Sequence, residues 1–324
     1  MNLKLSGLDS SRSQRVLPIL GLTIIAALLA LSGGAYSQAP AIRARPIDFA
    51  LKDAIRGSEL VLKSPATVLI GEIHGTLETP ILVASLVRSA RIERVPTILC
   101  VEISSAEQRA LDRFLQSDGR EPAVAALLAG PHWSGDDGRA SVGMFAMIEL
   151  MRRLNQQGED VRVVAMDINV EVPNVDPKLI TPKELERIEA QVESRDRAMA
   201  EAVLAARRQF PKSNVVVLAG NVHARMRKGV PWDEQYAPMG WHIAQALPGA
   251  ISLNVEFSGG EAWVATDKGV GPSRMRGVDR GNDPFIELFA KPQDGYHGTF
   301  YVGKISAARP VHDPKDRGEG ERKK

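Results

Sequence analysis

The stretch Asn214–His223 reads NVVVLAGNVH and joins a run of apolar, mainly β-branched residues to a polar end. Three further runs have a similar form: Thr67–Ile70 (TVLI), Thr97–Val101 (TILCV) and Val161–Met166 (VRVVAM). Their short length and β-branched content favour strands over helices. Because nearly all of their residues are apolar, most of these strands should be covered on both faces, as in a parallel sheet.

Segments with helical spacing of apolar residues lie between these runs, and they are Pro80–Arg88, Ala106–Leu115, Met144–Leu154 and Pro182–Phe210. The alternation of strand and helix predicts an α/β fold with a mainly parallel central sheet flanked by helices. Later strand-like runs are expected to complete or edge the sheet, with antiparallel additions near the C-terminus; they are Ile251–Phe257, Ala262–Ala265 and Thr299–Val302.

The first segment, Met1–Ser37, has a basic start, the apolar run Val16–Leu31 and then small residues. This layout predicts a signal peptide, and hence a periplasmic or secreted protein. The alternative is an uncleaved signal that anchors the chain in a membrane, although the apolar run is shorter than the ~20 residues that a bilayer requires. No cysteine follows the run that could carry a lipid.

The rest of the chain divides into a lead-in at 38–46, a single α/β domain at 47–309 and a charged, disordered tail at 310–324. The whole chain has a formal net charge of +2, and the first segment contributes three basic residues against one acidic residue. The remainder is therefore about neutral. A neutral chain argues against a nucleic-acid partner, which would need a basic surface to neutralise phosphates.

Polar and chemically capable residues follow all four strand-like runs. In open parallel sheets, ligands bind outside the carboxyl ends of the strands. We therefore expect one cleft that contains Glu72, His74, Glu102, Asp167, Asn221 and His223. Any one of these residues alone would be explained equally well as a cap or a loop residue.

Arg195 and Asp196 lie beside the apolar stripe of the long predicted helix, which includes Leu185, Val192 and Val203. A buried charge must be paired, so Arg195 is predicted to bind a carboxylate or a developing oxyanion. Asp196 would then hold a histidine or a metal ligand. The alternative is that both side chains extend from the stripe to water.

The loop His132–Ser141 (HWSGDDGRAS) is glycine-rich and charged, which is typical of a substrate-facing loop or lid. Arg139 is its candidate binding residue. A solvated turn would explain the same composition.

These motifs resemble a known superfamily. Gly71–Gly75 (GEIHG), Val101-Glu102, Arg195-Asp196-x-x-Met199 and Leu218–Ala224 (LAGNVHA) are similar to motifs of the ChaN-type haem-binding proteins, the Tiki/TraB proteases and the erythromycin esterases. The resemblance extends over roughly Ile70 to Arg225.

Each branch of the superfamily implies a different site. The Tiki/TraB branch implies a divalent-metal hydrolase, with Mn, Co or Zn held by His74, Glu102 and His223. The esterase branch implies that Glu72 and His74 activate a water molecule. The ChaN branch implies a homodimer that holds haem in the same cleft, for which Tyr236 is the tyrosine nearest the motif.

The preferred hypothesis is an ester or amide hydrolase that acts on a small molecule or a peptide. In it His74, poised by Glu72, takes the proton of the attacking water, while His223 and Arg195 stabilise the oxyanion. Asp167, Asp196, Asn221, Arg139 and Tyr236 are expected to bind the substrate or haem. The rival hypothesis is a haem- or iron-binding protein of the cell envelope without turnover.

Overall fold

The computed structural model describes residues 54–63, 65–91, 95–168, 181–231, 233–266 and 269–312. The predicted signal peptide, the lead-in and nearly all of the predicted tail lie outside these ranges, as do the side chains of Leu185 and Val192 in the apolar stripe. In the described part of the chain, no helix is long and apolar enough to cross a membrane.

Eight α-helices lie in the described part of the chain, and the second, third, fifth and sixth of them correspond to the predicted segments. They are α1 (Ser58–Val61), α2 (Glu78–Arg91), α3 (Gln108–Gln116), α4 (Glu121–Leu128), α5 (Val142–Gln156), α6 (Pro182–Gln209), α7 (Asn221–Ala224) and α8 (Met239–Ala246). The single helix predicted over Ala106–Leu115 is instead a 3-10 turn, Ser105–Glu107, followed by α3.

The described residues form ten strands, and the first four of them are the four strands predicted first, each slightly longer than predicted. The strands are β1 (Thr67–Glu72), β2 (Thr97–Ser104), β3 (Val161–Asp167), β4 (Asn214–Gly220), β5 (Ile251–Glu256), β6 (Gly259–Thr266), β7 (Gly269–Arg276), β8 (Phe285–Gln293), β9 (Tyr296–Tyr301) and β10 (Lys304–Ile305).

Seven of the described strands form the main sheet, in the order β3-β2-β4-β1-β5-β9-β8. All neighbours in it are parallel except β8, which is antiparallel to β9. The predicted α/β class is thus confirmed. The run Ala262–Ala265 belongs to β6, which lies in a separate sheet of order β10-β6-β7 and does not extend the main one.

Two apolar layers cover the main sheet, because alternate strand residues point to opposite faces. Val68 and Ile70 of β1 belong to the layer that contains Val83 of α2. Leu69, between them, belongs to the opposite layer with Met199 of α6. All six residues of β1 are buried, which explains the uninterrupted apolar residues Val68–Ile70 at its centre.

Helix α6 begins at a capping box. The Thr181 hydroxyl accepts a hydrogen bond from the Glu184 amide, and the Glu184 carboxylate accepts one from the Thr181 amide. Farther along, Met199 and Val203 are fully buried against the sheet. The buried face of α6 also carries Arg195, because this residue lies one helical turn before Met199. The fold therefore brings a guanidinium to the carboxyl edge of the sheet.

The edge strand β3 is held by a side chain of α3. The Gln108 amide group donates to the carbonyl oxygen of Val163 at 2.9 Å and accepts from the Ala165 amide at 2.8 Å. The side chain thus takes the place of a neighbouring strand. This contact fixes β3 two residues before Asp167, which is the acidic residue at its carboxyl end.

Candidate active site

Acidic side chains stand at the carboxyl ends of three strands that lie close together in the main sheet. Glu72 ends β1, Glu102 lies near the end of β2, and Asp167 ends β3. Each is buried, with 3%, 2% and 6% of its surface exposed. Gly220 ends β4, which lies between β1 and β2, and pairs with Glu72 in register. The predicted edge therefore carries a compact, charged and buried cluster.

Arg195 lies at the centre of this cluster. Its Nε and Nη2 atoms donate to the two carboxylate oxygens of Asp167, both at 2.7 Å. Nη2 also donates to Glu102 Oε1 at 2.5 Å, and Nη1 lies 3.2 Å from His223 Nε2. A guanidinium has five N–H donors, so these contacts use four of them. Arg195 is thus paired within the protein, as the sequence predicted for a buried charge.

Glu102 is the residue on which the cluster converges. Besides Arg195, its carboxylate accepts the Gly220 amide at 2.8 Å and lies 3.5 Å from His74 Nε2 and 4.0 Å from His223 Nε2. Burial alone would raise its pKa, but Arg195 and then the two histidines hold the pKa well below its usual range. Glu102 is therefore a carboxylate that both histidines approach.

His74 lies between two buried carboxylates. Its Nδ1 is 3.1 Å from Glu72 Oε1, and its Nε2 is 3.5 Å from Glu102 Oε2. Burial alone would lower its pKa, but Glu102 and Glu72 together raise the pKa to about 10. His74 is therefore an imidazolium at neutral pH, and 22% of its side chain is exposed.

The two carboxylate oxygens of Glu72 have different surroundings. Oε1 contacts His74, whereas Oε2 is buried and has no hydrogen-bond partner among the described residues. Burial raises the pKa of this carboxyl, and the charge of Glu102 raises it further against the opposing effect of His74. The Glu72–His74 pair therefore holds protons more tightly than either group does in water.

His223 is held by a second acid. Its Nδ1 is 2.8 Å from Asp196 Oδ1, which also accepts the Met239 amide at 2.6 Å. Asp196 Oδ2 accepts the hydroxyl of Tyr236 at 2.5 Å. Burial lowers the pKa of His223, but Asp196 and Glu102 raise it more, against the opposing charge of Arg195. Each histidine thus has an acid of its own and shares Glu102.

The glycine-rich loop reaches the same cluster. Arg139 pairs with Asp137 and extends Nη1 to within 3.5 Å of Glu102 and 3.9 Å of Asp167. Trp263 of β6 donates its indole N–H to the carbonyl oxygen of Asp136 at 2.9 Å, so the small sheet holds the loop in place. Asp137 and Trp263 were not singled out in the sequence, although Asp137 stands within the predicted loop.

Gly220 leaves the space between the two histidines. A Cβ atom at this position would meet His74 Nε2 at 3.0 Å, His223 Cδ2 at 3.4 Å and Glu102 Oε2 at 3.6 Å. The close approach that this glycine permits is thus an approach to site residues. Gly71 differs from Gly220. A Cβ at position 71 would meet Asn221 and Ala224 of α7 at 3.0 Å, so a glycine here allows β1 to pack closely against α7.

Most predicted site residues come together in this structure. The connected set is Glu72, His74, Glu102, Arg139, Asp167, Arg195, Asp196, His223 and Tyr236. Asn221 lies at the start of α7, and its carbonyl oxygen accepts the hydroxyl of Tyr296. We identify no contact between the Asn221 side chain and the cluster.

The proposed metal ligands do not form a metal site. Across the described residues, no group of three or more His, Cys, Asp or Glu side chains is arranged to hold a metal ion. The physical reason is Arg195, whose guanidinium contacts both Glu102 Oε1 and His223 Nε2. A cation already stands between two of the predicted ligands, Glu102 and His223.

Tyr236 does not fit the role of a haem ligand. Its hydroxyl donates to Asp196, and burial followed by the charge of Asp196 raises the pKa of the phenol above its usual value. An iron-bound tyrosine must lose its proton, and this environment opposes that loss.

Sequence comparison finds the same resemblance. A family model described as haem-binding uptake, Tiki superfamily, ChaN matches residues 152–233. The chain is similar to ChaN-type proteins over this segment. The matched segment contains Arg195, Asp196 and His223, whereas Glu72 and His74 lie outside it. No curated protein sequence matches the chain significantly.

Solved structures share the fold at low sequence identity. An erythromycin esterase mutant in its open conformation has a TM-score of 0.55 and 12% identity, over 78% of this chain and 94% of its own. A Bacillus cereus protein has a TM-score of 0.53 and 13% identity, over 89% of this chain and 99% of its own. A succinoglycan biosynthesis protein has a TM-score of 0.53 and 11% identity, over 89% of this chain and 98% of its own. These similarities establish the fold alone.

Proposed function

We propose that the protein hydrolyses an ester or amide bond by general acid–base catalysis between His223 and His74, without a metal ion. The observation that supports this most strongly is the convergence of both histidines on Glu102 while each is bound to a separate acid. Pairs of titratable groups in different environments are typical of acid and base partners.

His223 is the better general base of the two. Its Nε2 faces Nη1 of Arg195, and a guanidinium only donates, so Nε2 accepts in this arrangement. The ring proton is then on Nδ1, which donates to Asp196. A neutral imidazole held by a carboxylate in this way can take a proton at Nε2 once the attacking water replaces Nη1 of Arg195 at the single lone pair, and the raised pKa of His223 strengthens it as a base.

His74 is the better general acid. Its raised pKa keeps the ring protonated at neutral pH, which opposes the role of base that the sequence suggested for it. Its contact with Glu102 is 3.5 Å, longer than an ordinary hydrogen bond, whereas its contact with Glu72 is 3.1 Å. The Nε2 proton is therefore the one more available to a substrate.

The proposed reaction transfers one proton to His223 and one proton from His74. The oxygen of a water molecule forms a bond to the carbonyl carbon as its proton passes to His223 Nε2. The carbonyl oxygen gains negative charge, which the His74 imidazolium and the remaining Nη1 proton of Arg195 stabilise. The bond to the leaving oxygen or nitrogen then breaks as His74 supplies its proton, and exchange with solvent restores both rings.

A carboxylic ester is the first substrate class to test. The fold is similar to that of an erythromycin esterase, and the site offers positively charged donors for the oxyanion of an acyl transfer. A small molecule or a peptide would serve equally as the carrier of the bond. We also propose, from the first segment of the sequence, that this reaction takes place outside the cytoplasm.

The experiment is a panel of activated and simple esters and amides, assayed with the wild-type protein, His223→Gln and His74→Gln. We expect turnover that falls by about 10² to 10⁴-fold in either variant, since this is the usual contribution of a positioned acid or base. The double variant should be hardly worse than either single one. Turnover in His223→Gln equal to that of the wild type would contradict the proposal.

Haem binding is a second candidate, because the matched family model describes haem uptake. For direct ligation, Tyr236 or a histidine would have to leave its present partner to bind iron. A haem titration monitored by visible absorbance separates the two proposals. A haem absorbance band that saturates at one haem per chain, and that Tyr236→Phe abolishes, would favour haem binding. A band that does not saturate would favour hydrolysis.

A further inference from the structure

Tyr236 contacts neither His74 nor Glu102 directly, but it touches the acid that holds His223. It lies in the segment between α7 and α8, and its hydroxyl donates to Asp196 Oδ2 at 2.5 Å. The other oxygen, Oδ1, receives His223 Nδ1 and the Met239 amide. Three donors from separate parts of the chain therefore meet on one carboxylate.

The three contacts fix the plane of the Asp196 carboxylate. Asp196 is fully buried, so no water competes for its oxygens. If the Tyr236 hydroxyl were absent, Oδ2 would be a buried charged acceptor without this donor, and such a group is costly to leave unpaired. The carboxylate would then gain by rotating Oδ2 toward one of the two remaining donors, and the geometry at His223 Nδ1 would change.

The state of the hydroxyl favours this role. Burial and the charge of Asp196 raise the pKa of Tyr236, so the phenol keeps its proton and donates it to the hydrogen bond. The ring is half-buried, and a phenylalanine at this position would retain its packing. The hydroxyl can therefore be removed without creating a large cavity.

We propose that Tyr236 is a positioning residue, which acts through Asp196 to fix the ring orientation and the tautomer of His223. The proton is kept on Nδ1, and Nε2 is directed toward Arg195. An effect of Tyr236 on turnover rests on the proposed hydrolase function. The effect on the tautomer of His223 does not.

The test compares Tyr236→Phe with Tyr301→Phe. Tyr301 is also buried, and its hydroxyl donates to Gly281 at 2.9 Å, away from the cluster. The nitrogen chemical shifts of a ¹⁵N-labelled His223 distinguish a ring protonated on Nδ1 from one protonated on Nε2. We expect the Nδ1 tautomer in the wild type and in Tyr301→Phe, and a mixture in Tyr236→Phe.

On a substrate that the wild type turns over, Tyr236→Phe should lower kcat by about 10- to 100-fold and leave KM unchanged, as for other residues that orient a reacting group. Unchanged His223 shifts in a folded Tyr236→Phe protein would overturn the proposal. A changed tautomer with unchanged kcat would uphold the positioning of His223 and count against its role as the base, so the two proposals fail separately.

Discussion

Nε2 of His223 lies 3.2 Å from Nη1 of Arg195, and the arginine can only be the donor. This contact favours an unprotonated Nε2, against the charges of Asp196 and Glu102, which raise the pKa of the ring. Asp196 binds the opposite side of the ring, so the proton stays on Nδ1. The arginine that organises the cluster thus also determines which histidine can act as a base.

Arg195→Met should destabilise the protein strongly. The guanidinium is paired with Asp167 and Glu102, which are both buried, and its removal leaves their charges with only the longer contacts to Arg139 and His74. Breaking a buried ion pair from one side typically costs about 3–5 kcal/mol in the free energy of unfolding. Urea unfolding at neutral pH measures the change.

Arg197→Met is the matched control for Arg195→Met. It makes the same substitution two residues away, on the exposed side of α6. Its free energy of unfolding should stay within about 0.5 kcal/mol of the wild type. Equal losses in the two variants would mean that the buried ion pairs do not explain the stability of the cluster.

The stability of the protein should depend on pH through His74. Its pKa is raised from 6.5 to about 10 in the folded state, so the folded chain binds this proton more tightly than the unfolded chain. The resulting stabilisation is complete below about pH 6.5 and is lost as the pH rises through about 10.

The measurement is the difference in free energy of unfolding between the wild type and His74→Gln from pH 6 to pH 10. The variant removes the imidazole of His74 and retains the other groups that titrate at alkaline pH. The difference between the two proteins therefore isolates the contribution of His74. We expect the difference to fall steadily toward alkaline pH. A flat difference above about pH 7 would mean that His74 has an ordinary pKa and cannot be the proposed acid.

The sequence was sufficient to predict the parallel strands at the centre of the sheet and the convergence of most site residues. Residues such as Val68 and Leu69 are buried on opposite faces of the parallel sheet, so a continuous apolar run is recognisable within a single strand. Once parallel strands are expected, Glu72, Glu102 and Asp167 must meet at one edge. Helical periodicity likewise predicted that Arg195 and Asp196 would need partners.

The division of roles between the histidines was not predictable in the same way. His74 and His223 stand in similar motifs, and only the partners of each ring distinguish them. His74 lies between two carboxylates, whereas His223 lies between a carboxylate and a guanidinium. These contacts join residues far apart in the chain, such as Glu102 and Arg195, so no local pattern reveals them.

Gly220→Ala should lower turnover with little loss of stability. A Cβ atom would stand 3.0 Å from His74 Nε2 and narrow the space where the two histidines approach a substrate. Gly249→Ala is the control, since its Cβ would meet nothing within 4 Å. We expect the kcat/KM of Gly220→Ala to fall at least about tenfold, because misplacement of a reacting group lowers the rate by this much or more. If both variants kept wild-type kcat/KM, the space at Gly220 would not be the reaction site.

The most direct test of the account is turnover by the wild-type protein after treatment with a chelator, with elemental analysis of the same sample. Since Arg195 occupies the position between Glu102 and His223, we predict that an active ester substrate is hydrolysed at the same rate once no bound metal is detected. Loss of turnover in the metal-free protein, followed by recovery on addition of Mn²⁺, Co²⁺ or Zn²⁺, would contradict the account.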